Sequence, residues 1–203
     1  MDAVISRDKS EENVGLYTHK PLSSATFPDF ERLFGPAKDC GGCWCMWYRL
    51  SAADWKKLRG EGCREAMRRL AGEGKAHGLL AYVSEEPVGW CALGPRDDFP
   101  RLDRTKAYLG LDRPPGLWSL PCFYIAKGWR GRGAARFLLT QALPEMKALG
   151  ARVAEAYPVT TTRDGRRVEA AFAWNGPLAM YLEAGFRVVH RANEFRPVVR
   201  REL

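Results

Sequence analysis

The spacing of apolar and polar positions changes period several times along the chain, and each change marks an element. A polar opening, residues 1 to 12, reads as a loose N-terminus ahead of one domain at 13 to 203. An initial strand is expected before "FPDFERLFG", which predicts a short helix entered from Thr26 as N-cap and stopped at Gly35. After Ser51 the apolar residues Trp55, Leu58, Ala66 and Leu70 recur at helical intervals. "SAAD" there has the spacing of a capping box with Asp in place of Glu. Gly60 and Gly62 are the places where this helical region would split. "GLLAYVSEEPVGWCALGPR" sets two apolar runs about a four-residue polar turn, the pattern of a hairpin. Residues 96 to 116 follow as a long loop, a length that in compact domains often carries function.

"LWSLPCFYI", residues 117 to 125, reads as a buried strand. Its Pro121 lacks the N–H that a central strand needs, so a bulge or a gap in pairing is expected. Ala135, Leu138, Leu139, Ala142, Leu143 and Met146 then form one helical stripe, ended by Gly150. "ARVAEAYPV" is another strand. Beyond the polar "TTTRDGRR", the stretch "NGPLAMYLEAGF" predicts a short helix with Asn175 as N-cap, Pro177 in the first turn and Gly185 at its end. "FRVVHR" and "FRPVVRREL" finish as strands. This order predicts a single α/β domain on a mixed sheet.

Composition narrows the class. With 203 residues, 46% of them hydrophobic, the chain can build one sizeable core. No apolar run approaches the roughly 20 residues of a membrane span, and the start has no secretory signal pattern. A soluble, cytoplasmic protein without a membrane partner is expected, its six cysteines kept as thiols. The net charge of +8 suits an anionic ligand or nucleic acid. The basic residues are scattered, however, and no nucleic-acid motif accompanies them, so a nucleic-acid-binding module is the weaker alternative.

"IAKGWRGRGAARF" brings charge and backbone together. A strand running into glycines and then a helix exposes free N–H groups at the positive end of the helix dipole, which suits phosphate. Spacing separates the known phosphate loops. A P-loop needs Lys and Ser or Thr after its last glycine, but Ala134, Ala135 and Arg136 follow Gly133. A dinucleotide-binding turn counted from Gly131 reaches Gly133 but then Arg136 where a third glycine belongs.

"RGRGAA" fits a third pattern: Arg or Gln, two residues, Gly, one residue, Gly or Ala, with Arg130, Gly133 and Ala135 at the defined places. It resembles the pyrophosphate loop of the GNAT superfamily of N-acetyltransferases. The strand before it, the helix after it and "MYLEAGF" follow in that family's order, and Tyr181 stands four residues before Gly185 and Phe186. The resemblance implies a mostly antiparallel mixed sheet with a splayed central strand pair, flanked by helices. It implies acetyl-CoA as cosubstrate, its pyrophosphate on Arg130, Gly131, Arg132, Gly133, Ala134 and Ala135. The pantetheine arm would follow the main chain of Phe123, Tyr124 and Ile125, with Asn175 close by. Tyr181 would protonate the leaving thiolate.

Two further assignments are less constrained. Glu155 interrupts an apolar strand and is a candidate base, although a water relay can take that role. In the family's architecture "CGGCWCMWYR" falls where acceptors bind, so Trp44 and Trp47 are candidate acceptor contacts, with an aromatic plug on the core as the alternative. Cys40 and Cys43 form a CxxC without a second ligand pair, and no metal is expected. The roles of Cys40, Cys43 and Cys45 stay unassigned. The acceptor would be a small-molecule amine or a protein or peptide amine, and a homodimer is left open. A non-catalytic acyl-CoA sensor would keep the loop and lose turnover.

Overall fold

A computed structural model describes residues 16–37, 40–160, 162–163, 166–167, 174–191 and 193–203. The stretch at residues 1 to 12 read as loose lies outside the described residues. The elements run in the order β1 (Tyr17–Pro21), α1 (Phe27–Phe34), α2 (Ala52–Leu58), α3 (Glu61–Gly72), β2 (Gly78–Val83), β3 (Glu86–Pro95) and α4 (Pro100–Asp103). Then come β4 (Leu117–Ile125), α5 (Ala134–Ala148), β5 (Val153–Ala156), the two-residue pair β6 (Thr162–Arg163) and β7 (Arg166–Arg167), α6 (Leu178–Glu183), β8 (Arg187–Arg191) and β9 (Pro197–Glu202).

Phe27, Phe30, Leu33 and Phe34 are all buried on α1, which explains why this stretch folds as an amphipathic helix. Thr26 precedes it as expected but its side chain does not cap it; the Thr26 hydroxyl accepts from the Ser23 N–H at 2.9 Å and donates to the Pro21 carbonyl at 2.8 Å. Ser51 does cap α2, accepting from the Asp54 N–H at 3.1 Å. The return half of the box is replaced by the Ser51 hydroxyl donating to the Asp54 carboxylate at 2.6 Å. Gly60, at φ +87°, makes the break between α2 and α3, while Gly62 stays inside α3. The 96–116 segment is less irregular than its sequence implies. It contains α4 and two single turns, and it buries Phe99, Leu102 and Tyr108 with Tyr157 and Val198.

Seven strands form one sheet in the order β1-β2-β3-β4-β5-β9-β8, antiparallel everywhere except between β4 and β5. Strand alternation divides the core in two. Leu79, Ala81, Cys91 and Leu93 join Leu138, Leu139, Ala142 and Met146 of α5 on one face. Leu80, Tyr82, Trp90 and Ala92 join Phe30 of α1 and Met67 of α3 on the other. Burial on both faces is why β2 and β3 read as continuous apolar runs.

The sheet is interrupted where Pro121 demanded it. β5 pairs with β4 only from Leu117↔Val153 to Leu120↔Ala156, after which β4 continues to Ile125 paired with β3 only. On the other side its register with β3 jumps from Ala92↔Cys122 to Gly94↔Ser119, a bulge that holds the proline. Beyond residue 120 the central strands therefore part.

Candidate active site

The glycine turn lies where β4 leaves that gap. One turn at Lys127–Trp129 leads to Gly131 at φ +71° and Gly133 at φ +90°, left-handed conformations that favour glycine, and α5 starts at once. The Arg130 Nε donates to the Ile125 carbonyl at 2.9 Å, and the Tyr17 hydroxyl donates to the Arg132 carbonyl at 2.8 Å, so both shoulders of the turn are pinned. The opening N–H groups of a 15-residue helix have no intrahelical partner and face outward.

Strand phase decides which backbone groups enter the gap. The Ala126 N–H donates to the Val88 carbonyl at 3.0 Å. By antiparallel alternation Tyr124 also faces β3, while Phe123 and Ile125 face away from it. The Phe123 N–H is engaged by the Trp174 carbonyl at 2.6 Å. Of the three residues predicted to carry an extended ligand, the geometry thus offers chiefly the Ile125 N–H and the Phe123 carbonyl. These are one donor and one acceptor, a match for an amide-containing arm.

Asn175 holds the gap open. It does not cap α6, which starts at Leu178 after Pro177. Its side chain is buried, with Nδ2 donating to the Pro121 carbonyl at 2.7 Å and to the Tyr48 hydroxyl at 3.0 Å. Its Oδ1 is buried without a partner among the described residues. The Pro121 carbonyl freed by the bulge is thereby satisfied from across the split.

A cavity of about 620 Å³ joins these parts. Gly131, Gly133 and Ala135 line it at the turn, Ile125 and Gly176 at the gap, and Trp47 and Tyr48 beyond. Trp44 does not line it. That ring packs on Phe34 with centroids 5.9 Å apart, so the two readings of the aromatic segment divide: Trp44 is core and Trp47 is cavity wall. Trp55, read only as a helical repeat position, meets Trp47 edge to face at 4.8 Å and is also wall.

The thiols sit on this wall as well. All six cysteines are free, and Cys40, Cys43, Cys45 and Cys122 line the cavity. Cys45 Sγ accepts from the Trp90 Nε1–H at 3.0 Å, on backbone held at φ +54°. The Cys122 S–H beside it, with the Trp90 donor, pulls the Cys45 thiol below its ordinary range. Among the described residues no group of three or more His, Cys, Asp or Glu is placed to hold a metal.

The model of the acetyltransferase (GNAT) family matches residues 44–172. The chain belongs to that family. No curated protein sequence matches it. Solved structures that share the fold of this acetyltransferase include a GCN5-related N-acetyltransferase from Kribbella flavida, with 17% identity and a TM-score of 0.53, covering 93% of this chain and 99% of that one. Another is YncA from Salmonella typhimurium, solved with its cofactor acetyl-CoA, at 13% identity and TM-score 0.53 over 93% of this chain and 94% of its own. A third is an N-acetyltransferase from Staphylococcus aureus Mu50, at 12% identity and TM-score 0.52 over 92% and 97%. At such identities the likeness is one of fold.

The two residues expected to move protons are placed differently. Tyr181 is buried on α6, and its hydroxyl donates to the Asn175 carbonyl at 2.8 Å. It lies just behind the cavity wall: a Cβ on Gly176 would sit 3.5 Å from that oxygen. Burial first, then the neighbouring Cys91, Cys122 and Tyr48, raises its pKa well above the ordinary phenol value. Glu155 is not brought to this cavity. It borders a separate one and is ion-paired with Arg200 at 2.8 Å and Arg96 at 3.4 Å.

Tyr48 lies in "CGGCWCMWYR", the stretch read as facing the acceptor, but was given no proton role. Its hydroxyl accepts from Asn175 Nδ2 at 3.0 Å. Burial raises its pKa. No signal in its neighbourhood along the chain marks it, since that partner lies 127 residues away.

Proposed function

We propose that this acetyltransferase transfers the acetyl group of acetyl-CoA to a primary amine by direct attack. The observation that carries the reading is the parting of β4 from β5 beside the glycine turn, continuous with one cavity. The pyrophosphate rests on the backbone of Arg130 to Ala135, with helix dipole and N–H groups favouring its charge. The pantetheine arm lies along Phe123 to Ile125 and meets the Ile125 N–H and the Phe123 carbonyl. The fold neighbour from Salmonella typhimurium, solved with acetyl-CoA, supports this choice of cosubstrate. Six free thiols accord with a reducing, cytoplasmic setting.

In this reading the neutral amine attacks the thioester carbonyl carbon to form a tetrahedral intermediate. The carbon–sulfur bond then breaks, and the thiolate takes a proton from Tyr181. A second donor, Tyr48, is favoured by its place on the cavity wall and by a hydroxyl that accepts from Asn175. The amine proton leaves through water, because Glu155 is committed to guanidiniums.

Calorimetry with CoA and a thiol-release assay over a broad amine panel test the proposal together. Binding with release from at least one amine is the expected result. Tight CoA binding without release from any amine would leave a non-catalytic sensor. Retention on DNA but not on a CoA resin would favour the nucleic-acid alternative.

A further inference from the structure

We infer that the acceptor is a primary monoamine carried on an aromatic body, an inference that rests on the acetyl-transfer reading. Among the described residues the only charged side chains lining the large cavity are Arg130 and Arg136. Both belong to the glycine turn and the start of α5, where the phosphates go. No Asp or Glu among the described residues lines it. The remainder of the wall is uncharged, with aliphatic residues and thiols beside aromatic pairs: Trp47 against Trp55, and Phe34 against Tyr124 at 4.9 Å. The indoles are also already served by the protein's own cations. The Arg101 guanidinium lies 3.8 Å from the Trp47 ring centroid and that of Arg59 lies 5.2 Å from Trp55.

An ammonium entering such a space meets desolvation and nearby positive charge, with no carboxylate of the described residues in return. Both effects disfavour its charged form and lower its pKa. For the attacking nitrogen this is useful, since only the neutral amine is a nucleophile, and it explains how a site can work without a dedicated base. A second ammonium on the same acceptor gains nothing, because it must stay charged and unpaired or give up its proton as well. Polyamines, aminoglycosides and lysine-rich peptides are therefore selected against. An aromatic ring fits the same wall by edge and face contacts.

The test compares kcat/KM for phenethylamine, spermidine and a lysine-containing peptide at one pH and saturating acetyl-CoA. Phenethylamine should lead by at least about tenfold. Equal or faster turnover of spermidine or the peptide overturns the inference while leaving acetyl transfer intact. CoA binding with no release from any amine overturns the acetyl-transfer reading itself. Trp47→Ala should raise the KM for phenethylamine several-fold with CoA affinity unchanged, and an unmoved KM counts against the aromatic wall. Trp47→Glu supplies the missing counter-charge and should narrow the phenethylamine-to-spermidine ratio. A ratio that stays put sinks the electrostatic argument.

Discussion

Two cavities lie near the same central strands and differ in how their polar groups are engaged. The smaller, about 230 Å³, is walled by Arg96, Asp103, Asp112, Arg113 and Glu155. Its charges answer one another: Arg96 pairs with Asp103 at 2.6 Å, and Arg200 with Asp112 at 2.7 Å as well as with Glu155. Tyr157 donates to Glu155 and is itself 2.9 Å from Ser119. Among the described residues the larger cavity has few charges, and on its wall the Ile125 N–H faces away from β3 into the gap. Mutually satisfied charge is framework, and chemistry is sited where polarity is left for a ligand. Glu155, the candidate base of the sequence, is ion-paired within this charged set.

The largest effect separates these regions directly. Glu155→Ala leaves Arg96 and Arg200 without their buried partner and should cost about 3–5 kcal/mol of stability, read by urea denaturation. CoA affinity of the folded fraction should not change. A stable variant that binds CoA but has lost turnover would instead restore Glu155 as the base.

Next come the phenols. Tyr181→Phe should lower kcat by roughly 10², the scale of general acid catalysis, with KM for acetyl-CoA nearly unmoved. Because the Tyr181 hydroxyl also ties the Asn175 carbonyl, about 1 kcal/mol of stability should be lost with it. Tyr48→Phe is the companion measurement. If it carries the kcat loss while the Tyr181 variant shows only the loss of stability, the acid is Tyr48.

A smaller change reports on the turn. Gly133→Val forces a branched side chain onto backbone at φ +90°, where phosphate must approach. CoA affinity should fall at least about tenfold, or 1.4 kcal/mol, in a calorimeter. Unchanged affinity would move the pyrophosphate elsewhere. Smallest is Ser51→Ala, which removes the α2 cap far from both cavities' charges. A loss of about 1 kcal/mol in a thermal melt with kcat preserved is expected, and a large loss of turnover would show that α2 and its Trp55 are held to the site through that cap.

The hairpin, the α5 stripe, the proline gap and the glycine turn were all legible in the chain, because each depends on side-chain period or backbone freedom within a few residues. The candidate cosubstrate site was legible for the same reason: its contacts are mostly main chain of one continuous stretch. The acceptor side was not. Trp44 and Trp47 stand three apart in "CGGCWCMWYR", yet one is core and the other wall, and the positive φ at Trp44 and Cys45 that separates them has no local signature. Asn175 looked like a helix cap and is instead bonded to Pro121 and Tyr48, 54 and 127 residues away. Glu155 was a candidate base and is ion-paired with Arg96 and Arg200. Period and turn geometry are short-range and are written locally. Which partner a buried polar group finds depends on how distant segments pack, and only the tertiary structure decides it.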